Sequence, residues 1–160
     1  MEKFDYLVLD LETTVKCPIG SNKANPHWPE NRVVMAGLKP KSGSFVEIHG
    51  REEFESLHKE KKYDSESRLL VGTNIPFDLK YVYKISSGIY NTRGKIRIWD
   101  CQIAEYILSR QQHKFPSLDE MSVKYGGTLK DDSIKKHWES GGQTEDIDPV
   151  KLQVYLEGDV

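Results

Sequence analysis

Cysteine is scarce in this chain of 160 residues, and its scarcity excludes two common ways of stabilising a fold. The two cysteines, Cys17 and Cys101, are far apart and belong to no Cys-x-x-Cys motif or Cys/His cluster. A disulfide framework or a zinc finger requires paired or closely spaced cysteines. We therefore expect two reduced thiols, with a structural zinc site built from these cysteines and the histidines as the alternative.

Long apolar segments are also absent. The longest apolar run lies around Tyr6 to Leu11, whereas a membrane-spanning helix needs about 20 such residues, and the flanks of a signal peptide are missing. We therefore expect a soluble, cytoplasmic protein that makes no contact with membranes. The length suits one domain, residues 1–160, with a sizeable core.

The net charge is small, at −2. A protein that grips duplex nucleic acid through many phosphate contacts is usually strongly basic, because its affinity comes from the release of counterions. The composition therefore argues against that class of protein. It leaves open a site that holds a few nucleotides with the help of bound metal cations, since those cations supply the local positive charge.

The hydrophobic pattern predicts an α/β fold with a mixed sheet flanked by helices. Apolar or alternating segments predict five strands, and a Pro/Asn/Gly-rich loop at 15–31 separates the first two. Helical patterns follow the third strand and then alternate with the remaining strands. The predicted strands are 3–13, 32–40, 44–50, 68–74 and 95–100, and the predicted helices are 51–63, 76–86, 101–111, 117–127, 131–142 and 148–160.

Capping residues mark two of these helices. Ser117 with Glu120 three residues later forms a capping-box pattern, and Gly126 is placed to end the same helix. Asp148 followed by Pro149 is typical of an N-cap and the first helical position.

Two acidic residues end the first predicted strand, in the segment LDLET. Asp10 and Glu12 are two apart, so their carboxylates project from the same face of the strand. Close carboxylates repel each other, and a divalent cation would offset that cost. The spacing alone is weak, because Asp64 and Glu66 share it in a polar stretch. Both a metal site and a solvated strand end are consistent with the pattern.

A third acid lies in GTNIPFD, where a buried strand passes into a helix. Asn74 and Pro76 suit the start of that helix, and Asp78 falls in its first turn. Ligands of open α/β sheets bind at such junctions, so Asp78 would lie near Asp10 if the two strands are parallel neighbours. An acid in a first helical turn is also favoured by the helix dipole without any functional role.

The segment YLEGDV supplies a fourth acid. Tyr155 and Asp159 are four residues apart, so on a helix both side chains share one face and reach one cavity. The spacing also occurs at Tyr6 and Asp10, and a half-buried tyrosine commonly serves packing alone.

Taken together, LDLET, GTNIPFD and YLEGD resemble the three motifs of the DEDD exonucleases, in the branch that carries a tyrosine. The likeness is greatest to the proofreading 3'-5' exonuclease domain of family A DNA polymerases, of the bacterial polymerase I type or its bacteriophage relatives. IWDCQIAEYIL and PSLDEMSVKYGG are similar to the segments between the second and third motifs. The resemblance implies an RNase H-like (DnaQ-like) fold and metal-assisted hydrolysis of a 3'-terminal phosphodiester.

The resemblance also implies roles for the acidic residues and the tyrosine. Asp10, Glu12 and Asp159 would hold one Mg2+ or Mn2+, and Asp10 with Asp78 would hold a second. Carboxylate oxygens are the hard ligands that such cations prefer. Tyr155 would orient the attacking water by hydrogen bonding. These five residues are the predicted catalytic group.

The expected partner is the 3' end of single-stranded or frayed DNA. Asn74 matches a substrate-contacting position of the family, and Leu11 and Thr13 follow the first strand closely enough to touch the terminal nucleotide. Phe77, Tyr81 and Tyr125 are candidates for base stacking. One alternative function is an RNase D-like exonuclease, which would use the same chemistry on RNA. A second alternative is a protein with the same fold that binds nucleic acid or a partner without catalysis.

The chain ends one residue after Asp159, where the related polymerases continue into a polymerase domain. We therefore expect an exonuclease domain excised or truncated just after its third motif. The polymerase domain would follow at the C-terminal side of the full-length protein. We expect this domain to be a monomer, located in the host cytoplasm if its source is a bacteriophage.

Overall fold

A mixed sheet of five strands forms the centre of the molecule in a computed structural model, which describes residues 5–49, 53, 69–85, 97–129 and 132–160. The strands lie in the order β3–β2–β1–β4–β5. β1 pairs antiparallel with β2 and parallel with β4, so the most apolar strand is central. The strands are β1 Tyr6–Thr13, β2 Val33–Pro40, β3 Val46–His49, β4 Leu69–Gly72 and β5 Arg97–Asp100.

Helices follow the strands as the sequence predicts. The helix predicted for residues 51–63 lies outside the described residues, except at Glu53. The described part of the chain contains α1 Ile75–Ile85, α2 Cys101–Leu108, α3 Leu118–Tyr125, α4 Asp132–Glu139 and α5 Pro149–Glu157, with a 3-10 turn at Thr144–Asp146. None of the helices in this described part is both long and apolar enough to cross a membrane.

The predicted helix caps of α3 and α5 are confirmed. The Ser117 hydroxyl accepts a hydrogen bond from the Glu120 amide, and the Ser117 amide donates to the Glu120 carboxylate at 2.6 Å. Gly126 ends α3 in the left-handed conformation, with φ 75°. The Asp148 carboxylate accepts from the Lys151 amide at 3.1 Å, at the start of α5. These contacts satisfy amides that a helix leaves without partners at its N-terminus.

Several helix ends differ from the prediction: α4 ends at Glu139 rather than at 142, and α5 ends at Glu157 rather than at 160. Positive φ angles explain the differences at the start of α1 and the end of α2. Asn74 precedes α1 with φ 54°, in the left-handed region rather than the extended conformation of an ordinary N-cap. Asparagine tolerates that conformation better than most residues, and it lets the chain turn from β4 into α1 within two residues. α2 ends at Leu108 rather than at 111, because Arg110 and Gln111 have φ of 58° and 60°.

Helices pack on both faces of the sheet. On one face, alternate residues of β1 (Leu7, Leu9 and Leu11) form a core with Tyr81 and Val82 of α1. On the other face, α4 and α5 form a second core that includes Met35 of β2. Because side chains alternate along a strand, Asp10 projects toward the side on which α5 lies.

The long loop between β1 and β2 is ordered around Asn31, whose side chain is buried. Its Oδ1 accepts hydrogen bonds from the Lys16 amide at 2.8 Å and the Thr14 hydroxyl at 3.2 Å. Its Nδ2 donates to the carbonyl oxygens of Lys23 at 2.8 Å and Asn25 at 3.0 Å. The side-chain amide of Asn31 therefore connects the start of the loop, at Thr14 and Lys16, to its middle, at Lys23 and Asn25.

Helix α1 holds the same loop from outside. The Tyr81 hydroxyl donates to the Ala24 carbonyl at 2.8 Å, and Lys84 Nζ donates to the carbonyls of Asn31 at 2.7 Å and Trp28 at 3.0 Å. The loop is therefore fixed to the helix that carries Asp78 and to the strand that carries Asp10.

Replacing Asn31 with alanine should destabilise the protein by about 3 kcal/mol, because three partly buried backbone groups and the buried Thr14 hydroxyl would lose their partner. Urea unfolding measures the loss. Asn22→Ala, at an exposed asparagine of the same loop, is the control, and it should change stability by no more than about 0.5 kcal/mol. Equal effects of the two substitutions would contradict the structural role of Asn31.

Candidate active site

Three carboxylates from opposite ends of the chain meet at one side of the sheet. One oxygen each from Asp10, Glu12 and Asp159 lies within 4.8 Å of the others. Glu12 is buried, and the other two are half-buried. Among the described residues, this is the only group of three or more Asp, Glu, His or Cys side chains arranged to hold a metal ion. That group includes neither Cys17 nor Cys101.

The close approach of α5 to the sheet brings Asp159 to β1. Gly37 of β2 pairs with Asp10, and a Cβ atom at Gly37 would lie 2.8 Å from Cγ of Leu156 on α5. Because glycine has no side chain, Leu156 can pack directly against the backbone of β2 at Gly37. The Asp159 amide donates to the Leu156 carbonyl at 3.0 Å, which holds the aspartate in the turn that follows α5.

Asp78 is the buried acid of the site, only 3% exposed. It lies in the first turn of α1, after a strand that pairs in parallel with β1, which is the arrangement that the sequence prediction required. Burial and then the negative charge of Asp10 raise the pKa of Asp78 from 3.8 to about 8, although the backbone amides of Asp78 and Leu11 donate to its carboxylate. Asp78 is not one of the three clustered acids, but it lies close enough to Asp10 to interact with its charge.

Asp100 joins two parts of the site, a role that the sequence analysis did not assign. Its Oδ1 accepts from the amides of Gln102 at 2.9 Å and Ile103 at 3.1 Å, and so caps α2. The same atom lies 3.4 Å from the Asn74 amide nitrogen, and the charge of Asp100 contributes to the raised pKa of Asp78. An aspartate between a strand and a helix is a typical capping signal, so Asp100 could have been found from the sequence.

Tyr155 makes a packing contact, which is the predicted alternative to a role at the site. Its ring packs edge to face on Trp138, with centroids 5.8 Å apart and an interplanar angle of 82°. Tyr155 is half-buried and lies four residues before Asp159. The structure therefore places Tyr155 against the edge of the second core, on the helix that leads to the clustered acids.

The predicted substrate contacts occupy different environments. Asn74 is exposed at the end of β4. Leu11 and Thr13 are buried, and the Leu11 side chain packs in the core on the face opposite Asp10. Contact between these two residues and a nucleotide remains a prediction, and for Leu11 it would involve the backbone.

The aromatic candidates for base stacking also differ in their exposure to solvent. Tyr81 is fully buried, which excludes it as a stacking surface, and Phe77 packs against its ring at 5.4 Å. Tyr125 is exposed and borders a cavity of about 520 Å³ beside Asp159, which Trp99 and Thr73 also line. Trp99 is half exposed, and the sequence analysis did not single it out.

No family model and no curated protein matches the sequence. Several solved structures match the fold. Brucella melitensis NrnC bound to pGG superposes with a TM-score of 0.61 at 19% identity, covering 99% of this chain and 67% of that chain. The family B DNA polymerase from the hyperthermophilic archaeon Pyrobaculum calidifontis gives a TM-score of 0.63 at 16% identity, covering 99% of this chain and 23% of the polymerase.

The EXO domain of Aedes aegypti Nibbler gives a TM-score of 0.56 at 15% identity, covering 96% of this chain and 75% of that chain. The fold is therefore RNase H-like, with a mixed five-stranded sheet flanked by helices, as the sequence predicts. None of these three structures is a family A polymerase, so the likeness does not single out that family.

The raised pKa of Asp78 predicts that the metal-free protein loses stability as the pH rises from about 4 to about 8. In the unfolded chain Asp78 releases its proton near its ordinary pKa of 3.8, whereas the folded protein retains it up to about 8. The unfolded state is therefore favoured progressively across this window. Burial is the main cause of the raised pKa of Asp78, and the charges of Asp10 and Asp100 add to it.

Urea unfolding in chelator at several pH values, on wild type and Asp78→Asn, measures the effect. Asparagine does not titrate, so the difference in unfolding free energy between the two proteins should shift in favour of the variant as the pH rises. A difference that is constant from pH 4 to pH 8 would contradict the raised pKa.

Proposed function

We propose that this chain is a metal-dependent 3'-5' exonuclease that hydrolyses the 3'-terminal phosphodiester of single-stranded or frayed DNA and releases nucleoside 5'-monophosphates. The observation that carries the proposal is the convergence of Asp10, Glu12 and Asp159 within 4.8 Å. The DnaQ-like exonuclease fold supports it, as does the order of the motifs in the sequence.

The donor set fits divalent cations. Three carboxylates in partly buried positions offer only hard oxygen ligands, and their mutual repulsion favours a bound cation. Asp10, Glu12 and Asp159 would hold one Mg2+ or Mn2+, and Asp10 with Asp78 would hold the second. When bound, such a pair lowers the pKa of a water molecule and stabilises charge on the attacking and leaving oxygens.

Side chains of this protein have further roles in the proposed reaction. Tyr155, one turn before Asp159, donates a hydrogen bond that orients the attacking water. Asn74, exposed at the junction of β4 and α1, contacts the substrate strand. Asp100 links that junction to the start of α2 through the amides of Asn74 and Gln102.

The cavity beside Asp159 is suited to an unpaired nucleotide. Its walls are mainly apolar, and Trp99 and Tyr125 expose ring surface along it. Stacking on aromatic rings tolerates any base, as an exonuclease of broad specificity requires. A terminal base must leave its partner to enter such a space, which favours single strands and frayed ends.

Proofreading for a DNA polymerase is the biological setting that we propose. The match to the family B polymerase, in which this fold accounts for 23% of the chain, supports an exonuclease domain within a longer polymerase. The sequence motifs favour family A, with the polymerase domain on the C-terminal side. The domain acts as a monomer on the 3' end in this proposal.

The two acids of β1 provide the first test. Asp10→Ala combined with Glu12→Ala should lower the cleavage of a 3'-labelled single-stranded DNA in Mg2+ by about three orders of magnitude, because the variant removes the ligands of the cation. Asp64→Ala with Glu66→Ala, the other pair of the same spacing, is the matched control and should retain activity. Equal cleavage by wild type and the Asp10/Glu12 variant would identify a contaminating nuclease and refute the proposal. Matched RNA oligonucleotides in the same assay distinguish a DNA exonuclease from an RNA-trimming enzyme.

Tyr155→Phe should have a milder effect, a loss of about tenfold in kcat, because one hydrogen bond to the water is removed while the acidic residues remain. Single-turnover cleavage at saturating Mn2+ measures the loss. Mn2+ affinity should be unchanged, and a weaker affinity would show that Tyr155 supports the metal site instead of the water.

A further inference from the structure

A bulge directly follows the catalytic acids of β1. The pairing register between β1 and β2 shifts between Glu12, which pairs with Met35, and Thr13, which pairs with Val33. Bulges next to active sites redirect side chains and interrupt the regular ladder of hydrogen bonds. At this bulge the Thr13 carbonyl accepts a hydrogen bond from the Thr144 hydroxyl at 2.6 Å, across 131 residues of sequence.

Thr144 also accepts a hydrogen bond. The indole Nε1 of Trp138 donates to its Oγ1 at 3.1 Å, and Thr144 is fully buried. A hydroxyl has one proton to donate and lone pairs that accept. Thr144 uses both capacities, so its hydroxyl has a defined orientation between β1 and α4.

The Trp138 ring extends this connection to Tyr155. The edge-to-face contact between the two rings, at 5.8 Å, fixes the plane of the tyrosine ring on α5. Thr13, Thr144, Trp138 and Tyr155 therefore form a continuous chain of contacts, which we name the β1–α5 bridge. One end adjoins Glu12, and the other is the tyrosine that precedes Asp159.

We propose that Thr144 and Trp138 are positioning residues, which set the Tyr155 hydroxyl relative to the acids of β1. This proposal rests on the proposed function, in which that hydroxyl orients water. Packing alone does not require the bridge, because valine would fill the volume of Thr144 and phenylalanine would retain an aromatic edge at Trp138. The hydroxyl and the indole N–H supply the directionality that those substitutes lack.

Kinetics provide the first test. Thr144→Val and Trp138→Phe should each lower kcat about fivefold, the effect of one lost hydrogen bond, with KM and Mn2+ affinity unchanged. Thr144→Ser restores the hydroxyl and should return kcat to within about twofold of wild type. In a Tyr155→Phe background, Thr144→Val should have no further effect, because the group that it positions is absent. Additive losses in that double variant would overturn the proposal.

Fluorine NMR of protein labelled with 3-fluorotyrosine provides a test that does not depend on activity. The Tyr155 signal is assigned by its disappearance in Tyr155→Phe. It should shift in Thr144→Val and Trp138→Phe, because the position of the tyrosine ring relative to its neighbour changes, and it should stay in place in Thr144→Ser. An unmoved signal in Thr144→Val would overturn the proposal.

Thr14→Val is the matched control, since Thr14 is equally buried and hydrogen-bonded but lies on the loop side of Thr13, outside the bridge. It should lower stability without moving the Tyr155 signal. If the wild-type protein cleaves no nucleic acid, the proposed function fails, while the fluorine signals still decide whether the bridge positions Tyr155.

Discussion

Electrostatic repulsion among acids gathered at the end of β1 is the constraint on which the rest of the structure depends. Asp10, Glu12 and Asp159 crowd one small volume, and buried Asp78 carries a pKa raised to about 8 beside them. An arrangement of this kind opposes folding unless a proton or a cation compensates the charge. The fold holds the acids in place at that cost, which is the arrangement that the proposed cation site requires.

The geometry that resists this repulsion comes from apolar packing and from partly buried hydrogen bonds that do not involve the acids. Leu156 fits against Gly37 and holds α5 on the sheet. Asn31 closes the long loop, and Tyr81 and Lys84 fasten that loop to α1. These contacts connect the elements that carry the acidic residues.

Much of the fold could be predicted from the sequence, because periodicity and caps are local signals. The central strand, the capping box at Ser117 and the N-cap at Asp148 each depend on residues within a few positions of one another. For Asp78 to approach Asp10, β1 and β4 had to be parallel neighbours. The structure shows that they are.

Contacts across long distances in sequence could not be predicted in the same way. Thr144 reaches Thr13 over 131 residues, and an isolated threonine in a polar turn gives no sign of that partner. The role of Asn31 depends on the path of a long loop, which composition does not determine. The end of α2 was missed for another reason, because nothing in the residue types of Arg110 and Gln111 required a left-handed backbone.

The contact between Gly37 and Leu156 also has a consequence for how related sequences can vary. Any residue larger than glycine at position 37 would occupy the volume of the leucine side chain and lift the last helix away from the first aspartate. A relative with alanine there must therefore carry a smaller side chain at position 156, or shift that helix along the sheet. Positions 37 and 156 should therefore vary together among related sequences that keep Asp159 close to Asp10.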